Sequence, residues 1–275
     1  MKITDNIKLQ FGKWFKYFEP FISTPEFDTI FLQIKSRVKA GVKVFPASEN
    51  VFRCFRETDP DKLKVILASF CPYHNRVGDI IVGDGLAFSC SNTGERYGIQ
   101  PSLHSIYSAL EDSYCGGFNI NLIQEPDLRY LAYQGVLLYN TGLTVEEGKA
   151  GSMQEVWKPF NEFFWKEVIN QYFRGLPIVF FGQVAAKSEK LLTPMLHYPY
   201  IIEHPASSSY RGPESKWKYD DIFRKVDKIL MDNNGEKIEW YKESNTMEKQ
   251  KVKAMDTSKA LRTLENPENI DDLPF

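Results

Sequence analysis

Four runs of apolar residues stand out along this chain, at 64–70, 136–140, 177–182 and 198–203. Each is short, continuous rather than alternating, and rich in branched or aromatic side chains. That is the pattern of strands buried on both faces. Between and around them, apolar positions recur at helical spacing. Phe27, Ile30, Phe31, Ile34 and Val38 share one face, as do Leu103, Ile106, Tyr107 and Leu110 after a Pro101-Ser102 entry. Leu128 and Leu131 follow Pro126, which reads as a first-turn proline. Val156, Phe160, Phe163, Phe164 and Val168 form a long, mostly aromatic stripe, and Ile222, Val226, Ile229 and Leu230 close the series. Strand alternating with helix predicts an α/β fold with a central, mostly parallel sheet covered on both faces, preceded by a helical N-terminal segment.

Composition changes the picture in two places. The 275 residues, 43% hydrophobic, suffice for one large domain, or one domain with a tail. Beyond Glu239-Trp240-Tyr241, residues 243–267 are rich in Lys, Glu, Ser, Thr, Asn and Met, with little apolar surface to offset ordering entropy. The division expected is a domain over 1–242 and a linker with a distinct tip over 243–275. Net charge is −2, so no global basic field marks a nucleic-acid binder, although a local basic face is compatible with the 34 lysines and arginines. Cys54, Cys71, Cys90 and Cys115 form no close pair and no metal-ligand spacing. No apolar run approaches the roughly 20 residues of a membrane span, and no signal-peptide core is present. The expectation is a cytoplasmic, monomeric protein with reduced thiols, no metal and no cofactor.

In open sheets of this kind, ligands bind beyond the carboxyl ends of the strands. The first run leads into Cys71, Tyr73 and His74. The second ends at Asn140, the third at Gly182-Gln183, and the fourth at His204-Pro205. A thiol, a phenol, an amide and two imidazoles converging on one crevice describe a pocket for a small molecule or a base.

An ordered series of segments sharpens this reading. Val44-Phe45-Pro46-Ala47 with Asn50-Val51-Phe52 comes first, then Asp61-Lys62-Leu63-Lys64-Val65-Ile66-Leu67, Pro72-Tyr73-His74 and Gly85-Leu86-Ala87-Phe88-Ser89. Pro101-Ser102-Leu103, Gln134-Gly135-Val136-Leu137-Leu138 with Asn140, Leu143-Thr144-Val145, and His204-Pro205 with Tyr210-Arg211-Gly212 complete it. From about 42 to 241 the chain resembles the family 1 uracil-DNA glycosylases, whose fold is a three-layer α/β/α sandwich on a parallel sheet. Such enzymes flip uracil out of DNA and hydrolyse its glycosidic bond. The resemblance implies that Phe88 stacks on the base and that Asn140 reads its edge, one amide offering both donor and acceptor. It further implies that Tyr73 excludes a 5-methyl group, that His204 stabilises charge on the departing base, and that His74 lies near the attacking water. Phe70 falls beside the base site, and Ser102 resembles a phosphate contact at a helix entry.

The departures from the family are as informative as the matches. Cys71 stands where the family carries the aspartate that orients water and offsets positive charge on the sugar, so the expected catalytic set is Cys71, His74 and His204. A thiol of pKa about 8.5 is mostly neutral at pH 7. Ser69-Phe70 replace Gly-Gln, and the 75–84 loop is longer than the family's. Gln183 follows Gly182 where the family has serine, and Ser208, beside Ser207, takes the place of the intercalating leucine, weakening base extrusion. Arg211 completes the expected DNA contacts. Two readings follow. The protein engages uracil, in repair or replication of single-stranded or uracil-containing DNA, with hydrolysis attenuated. Alternatively the chemistry is rearranged around His74 or a loop carboxylate, Asp79 or Asp84. A covalent role for Cys71 needs a lowered thiol pKa, which nothing nearby in sequence provides. A reading of another class is a non-enzymatic accessory that uses the fold as a scaffold.

The tip Asp271-Asp272-Leu273-Pro274-Phe275 resembles that of bacterial single-stranded-DNA-binding proteins. The resemblance implies capture by replication or repair proteins that receive such tips.

Overall fold

The four apolar runs form one parallel sheet in the computed structural model, which describes residues 5–115, 122–207 and 217–243. Strands β1 (Val65–Ser69), β2 (Val136–Asn140), β3 (Pro177–Phe181) and β4 (Tyr198–Ile202) lie in the order β2-β1-β3-β4. The first three are buried at every position, which is why their sequences run apolar without alternation. β4 is an edge strand, with Pro199 in it and Tyr198 and Ile201 exposed, as an edge tolerates, whereas β2 at the other edge is buried. Ser69 is in register with Asn140, and Phe181 with Ile202, so the four carboxyl ends finish together. The expected α/β architecture is present; each terminus shifts inward by a residue or less, Gly182 opening a short helix rather than closing a strand.

Three N-terminal helices, α1 (Asp5–Phe11), α2 (Phe15–Ile22) and α3 (Pro25–Lys39), pack on one side of the sheet. Thr24 caps α3 by accepting the Phe27 N–H, and Pro25 occupies the first turn. The contact is an aromatic cluster: Phe18 stacks on Phe160 at 5.0 Å, and Trp14 donates its indole N–H at 2.7 Å to the carbonyl of Thr58, which ends α4 (Arg53–Glu57). Phe160 belongs to α6 (Gln154–Phe163), which continues through a wider π-type turn to Ile169. Along α3 the expected stripe is buried only at Phe27 and Ile30; Phe31 and Ile34 are half-covered and Val38 is exposed.

On the other side, α5 (Pro101–Cys115) and α7 (Ile222–Asn234) cover the sheet. Asp227 of α7 accepts from the Tyr114 hydroxyl, the Trp240 indole and the Ile238 N–H, fixing the segment that ends the described domain. One element differs from the pattern. The helix expected from Pro126 is Arg129–Ala132, beginning three residues later. Pro126 instead offers its carbonyl to the Cys90 N–H and the Ser89 hydroxyl, so it buttresses a loop. No described helix is long and apolar enough to cross a membrane.

Candidate active site

The carboxyl end of β1 is held in place before it reaches any chemistry. The Ser69 carbonyl accepts the Thr141 N–H at 2.9 Å. The Phe70 carbonyl accepts from the Gly142 N–H at 3.1 Å, the Thr141 hydroxyl at 3.0 Å and the Gln154 amide. The segment from Ser69 to His74 then forms one wall of a cavity of about 340 Å³. Phe88 and Ser102 form a second wall, Ala150 a third, and His204, Ala206 and Ser207 the fourth. Gly151 packs under the Phe70 ring at φ +73°, where any Cβ would overlap the ring.

Phe88 carries a cost: φ is +66°, a left-handed conformation for a bulky residue, worth about 1–3 kcal/mol. The surroundings hold it there. The Ala87 N–H donates to the Leu138 carbonyl at 3.1 Å, and the Tyr73 hydroxyl donates to the Phe88 carbonyl at 3.2 Å. Its ring meets Phe181 at 4.9 Å and His204 at 5.8 Å. Beneath this loop lies a buried ion pair. Arg53 contacts Asp84 at 3.0 Å, and Asp84 also accepts from the Ser89 and Ser91 hydroxyls and the Leu86 N–H.

His204 has a defined tautomer. The Ala206 N–H donates to Nδ1 at 3.2 Å, which places the single proton of the neutral ring on Nε2, 3.4 Å from the Ser69 hydroxyl. Burial holds the imidazole pKa down at about 4, so the ring is neutral at physiological pH. Gly182, at φ +83°, admits this arrangement, since a Cβ there would approach the His204 Cβ to 3.1 Å. Burial pushes the Cys71 thiol up to about 11, opposed weakly by a hydrogen bond from the Gly151 backbone. The thiolate needed for covalent chemistry is therefore disfavoured.

Two polar atoms at the site are buried without a hydrogen-bond partner, His74 Nδ1 and Asn140 Oδ1. Unsatisfied buried polar groups are uncommon and each calls for an explanation, a bound ligand being one. His74 belongs to the cavity wall. Asn140 does not line it directly but lies on the neighbouring strand, in register with Ser69, which does.

The other expected residues divide. Phe70, Cys71, Tyr73, His74, Phe88, Ser102, His204 and Ser207 share the cavity wall. Gly182 backs His204, whereas Gln183 is exposed on the short helix Gly182–Ala186 and takes no part in the wall. Ser208, Arg211 and the tip at 271–275 lie outside the described residues. The loop carboxylates do not replace the missing charge. Asp84 is fully buried in its pair with Arg53, and Asp79 is exposed at the tip of a hairpin joining Arg76–Val77 to Ile80–Ile81. No residue of 75–84 lines the cavity, and among the described residues no Asp, Glu, Lys or Arg does. Among the described residues no cluster of His, Cys, Asp and Glu is arranged to hold a metal ion.

Sequence reasoning missed the rim beside Cys71. There a two-residue strand, Val145–Glu146, pairs with Val44–Phe45 and leads to Ala150 and Gly151. Arg37 and Arg76 pin it through Glu146 and Glu147, both at 3.0 Å, and the Gly148 N–H donates to the His74 carbonyl at 2.8 Å. The close spacing of Gly148 and Gly151 was the available signal.

No protein-family model matches the chain. Curated relatives do. It is 31% identical over 232 residues to uracil-DNA glycosylase 1 of Listeria innocua, covering 82% of this chain and 96% of that protein. It is 33% identical over 205 residues to the uracil-DNA glycosylase of Francisella tularensis subsp. novicida, covering 73% and 85%. Among solved structures, mimivirus uracil-DNA glycosylase shares the fold with a TM-score of 0.72 at 22% identity, over 86% of this chain and 89% of that one. A Nitratifractor salsuginis structure aligns at 0.52 and 18% identity, over 79% and 93%. With strand order, pocket and near full-length similarity in agreement, the chain belongs to the uracil-DNA glycosylase family.

Proposed function

We propose that this protein engages uracil in DNA, in a repair or replication setting, and cleaves its N-glycosidic bond far more slowly than a carboxylate-bearing relative. The observation that carries this reading is a cavity whose described wall brings Tyr73, Phe88 and His204 together without a charged side chain, with Asn140 on the adjoining strand. Phe88 offers a stacking face, and Tyr73 crowds the entrance where thymine would bring a methyl group. His204 offers a neutral Nε2–H donor for the oxygen that gains charge as the base departs. The unpartnered Oδ1 of Asn140 suits the N–H of the base edge. Cys71, protonated at neutral pH, supplies no charge to the sugar.

A unit charge missing about 4 Å from a developing cation is worth roughly 4 kcal/mol at an effective dielectric of about 20. That is about a thousandfold in rate. With His204 serving as a donor, His74 is the wall imidazole assigned to accept a proton from water, and the residual rate rests on it. Ser102, Gly182, Gln183, Ser207, Ser208 and Arg211 are assigned to the DNA backbone. Single strands are favoured because extrusion costs least there, which accommodates Ser208 in place of a wedge. The 243–275 segment is read as a separate partner-binding module.

The test is single-turnover excision, with protein in excess over a uracil-containing oligonucleotide and alkaline cleavage of abasic product. Slow, uracil-dependent product is expected, falling a further tenfold or more in His74→Asn. Product at the speed of chemistry with an ionised carboxylate in place would contradict the proposal.

A further inference from the structure

A second cavity, of about 590 Å³, lies away from the base pocket, between α1, α3 and the Val44–Phe45 strand. Ile7, Phe31, Ile34 and Val38 form its walls, and Val51 and Phe52 its floor. It is the uncovered half of the α3 stripe: residues 31, 34, 35, 38 and 39 follow the helical repeat and all line it. Lys35 and Lys39 stand exposed on its rim and make no ion pair among the described residues, whereas Arg37 and Lys43 nearby are engaged by Glu146 and Glu147. The groove thus offers an apolar trough of the size that binds ligands, roughly 300–1,000 Å³, with two unspent positive charges at its edge.

Beyond the described domain the chain carries a segment of complementary chemistry. Asp271-Asp272 place two negative charges immediately before Leu273-Pro274-Phe275, three apolar residues of which the central proline limits backbone freedom. We infer that this segment docks in the α1–α3 groove of its own chain, Leu273 and Phe275 filling the apolar trough and Asp271 and Asp272 meeting Lys35 and Lys39. Reach permits it. The roughly 27 residues between Glu243 and Asp271 span up to about 90 Å when extended. A domain of this length is about 45 Å across, so every point of its surface is accessible. Tethering places the segment at an effective concentration in the millimolar range, so modest intrinsic affinity suffices for occupancy. The docked tip is withheld from other proteins until one with higher affinity displaces it, and the groove is covered in the meantime.

The test uses the full chain and a fluorophore-labelled synthetic peptide of residues 266–275, followed by anisotropy. In the unmodified protein the tethered segment competes with the peptide. In a full-length variant carrying Leu273→Asp and Phe275→Asp the competitor is disabled, and the peptide is expected to bind at least tenfold tighter. Adding Lys35→Glu and Lys39→Glu, or Val38→Asp, to that variant is expected to abolish binding. These positions are exposed, and an unchanged melting temperature confirms that the fold is retained. Equal peptide affinity for the unmodified and tail-disabled chains overturns the inference. So does peptide binding that survives the groove substitutions. Dimers of the unmodified chain that dissolve in the tail variant would place the segment in a second copy and overturn docking within one chain.

Discussion

Replacing Cys71 by aspartate is expected to raise the single-turnover rate of uracil excision by about a thousandfold, the roughly 4 kcal/mol that a unit charge contributes near the sugar. The site is prepared for the carboxylate. Its backbone is fixed by the donors gathered on the Ser69 and Phe70 carbonyls, and the Gly151 backbone that now bonds the thiol would bond a carboxylate more strongly. The burial that raises the thiol also opposes ionisation of a carboxyl there, but aspartate starts from about 3.9 rather than about 8.5, so it stays mostly ionised at about pH 8. Cys71→Ser, which restores polarity without charge, is the control and should leave the rate within a few-fold of the unmodified protein. If Cys71→Asp gives no gain while uracil binding persists, the proposed attenuation lies in base extrusion rather than at position 71.

The second large effect is on stability. Asp84→Ala is expected to destabilise the fold by about 3–5 kcal/mol, because it removes the shortest carboxylate contact of buried Arg53, leaving Asp127 at 3.5 Å and Glu57 at 3.6 Å, and strips the acceptor from the Ser89, Ser91 and Leu86 donors. Arg53 is 7% exposed and Asp84 0%, and Asp84 accepts hydrogen bonds from Ser89, Ser91 and Leu86 in addition to its ion pair. For a domain of this size the melting temperature should fall by about 6–20 °C, measured by circular dichroism at pH 7. The same loop contains Phe88 in its left-handed conformation, so the clamp also maintains the strained residue on which the base would stack. A melting temperature within about 2 °C of the unmodified protein would show that the loop does not depend on the pair.

Much of this site was legible because the sheet is parallel. Strands buried on both faces cannot alternate, so 64–70, 136–140 and 177–182 announced themselves, and their carboxyl ends led directly to Cys71, Asn140 and Gly182; His204 came from the fourth run, 198–203, which is half-exposed at the sheet edge. Other parts were hidden for identifiable reasons. The rim that carries Ala150 and Gly151 is built from two-residue strands, too short for any periodicity. Arg53 and Asp84 are 31 positions apart in sequence, and charged side chains belong to the surface unless a partner is known. Asp84 therefore read as an available carboxylate, when it is the anchor of the loop beneath the pocket. Pro126 satisfied the rule for a first helical turn yet serves as a hydrogen-bond acceptor for the loop that follows Phe88. The tautomer of His204 was inaccessible in principle, since it depends on the Ala206 N–H folding back two residues later.

Equilibrium binding of single-stranded oligonucleotides that differ only in one uracil or cytosine, measured from pH 8 down to pH 5, tests most directly whether a uracil pocket persists without its carboxylate. The two bases present opposite hydrogen-bonding edges to Asn140, and one such mismatch is worth about 1–3 kcal/mol. His204 takes up a proton only as the pH approaches about 4, so its donor geometry is constant across the range. The expected result is tighter binding of the uracil strand by at least about tenfold, flat with pH and lost in Asn140→Ala. Equal affinity for the two strands, or a preference that emerges only as the pH falls below about 6, would contradict it.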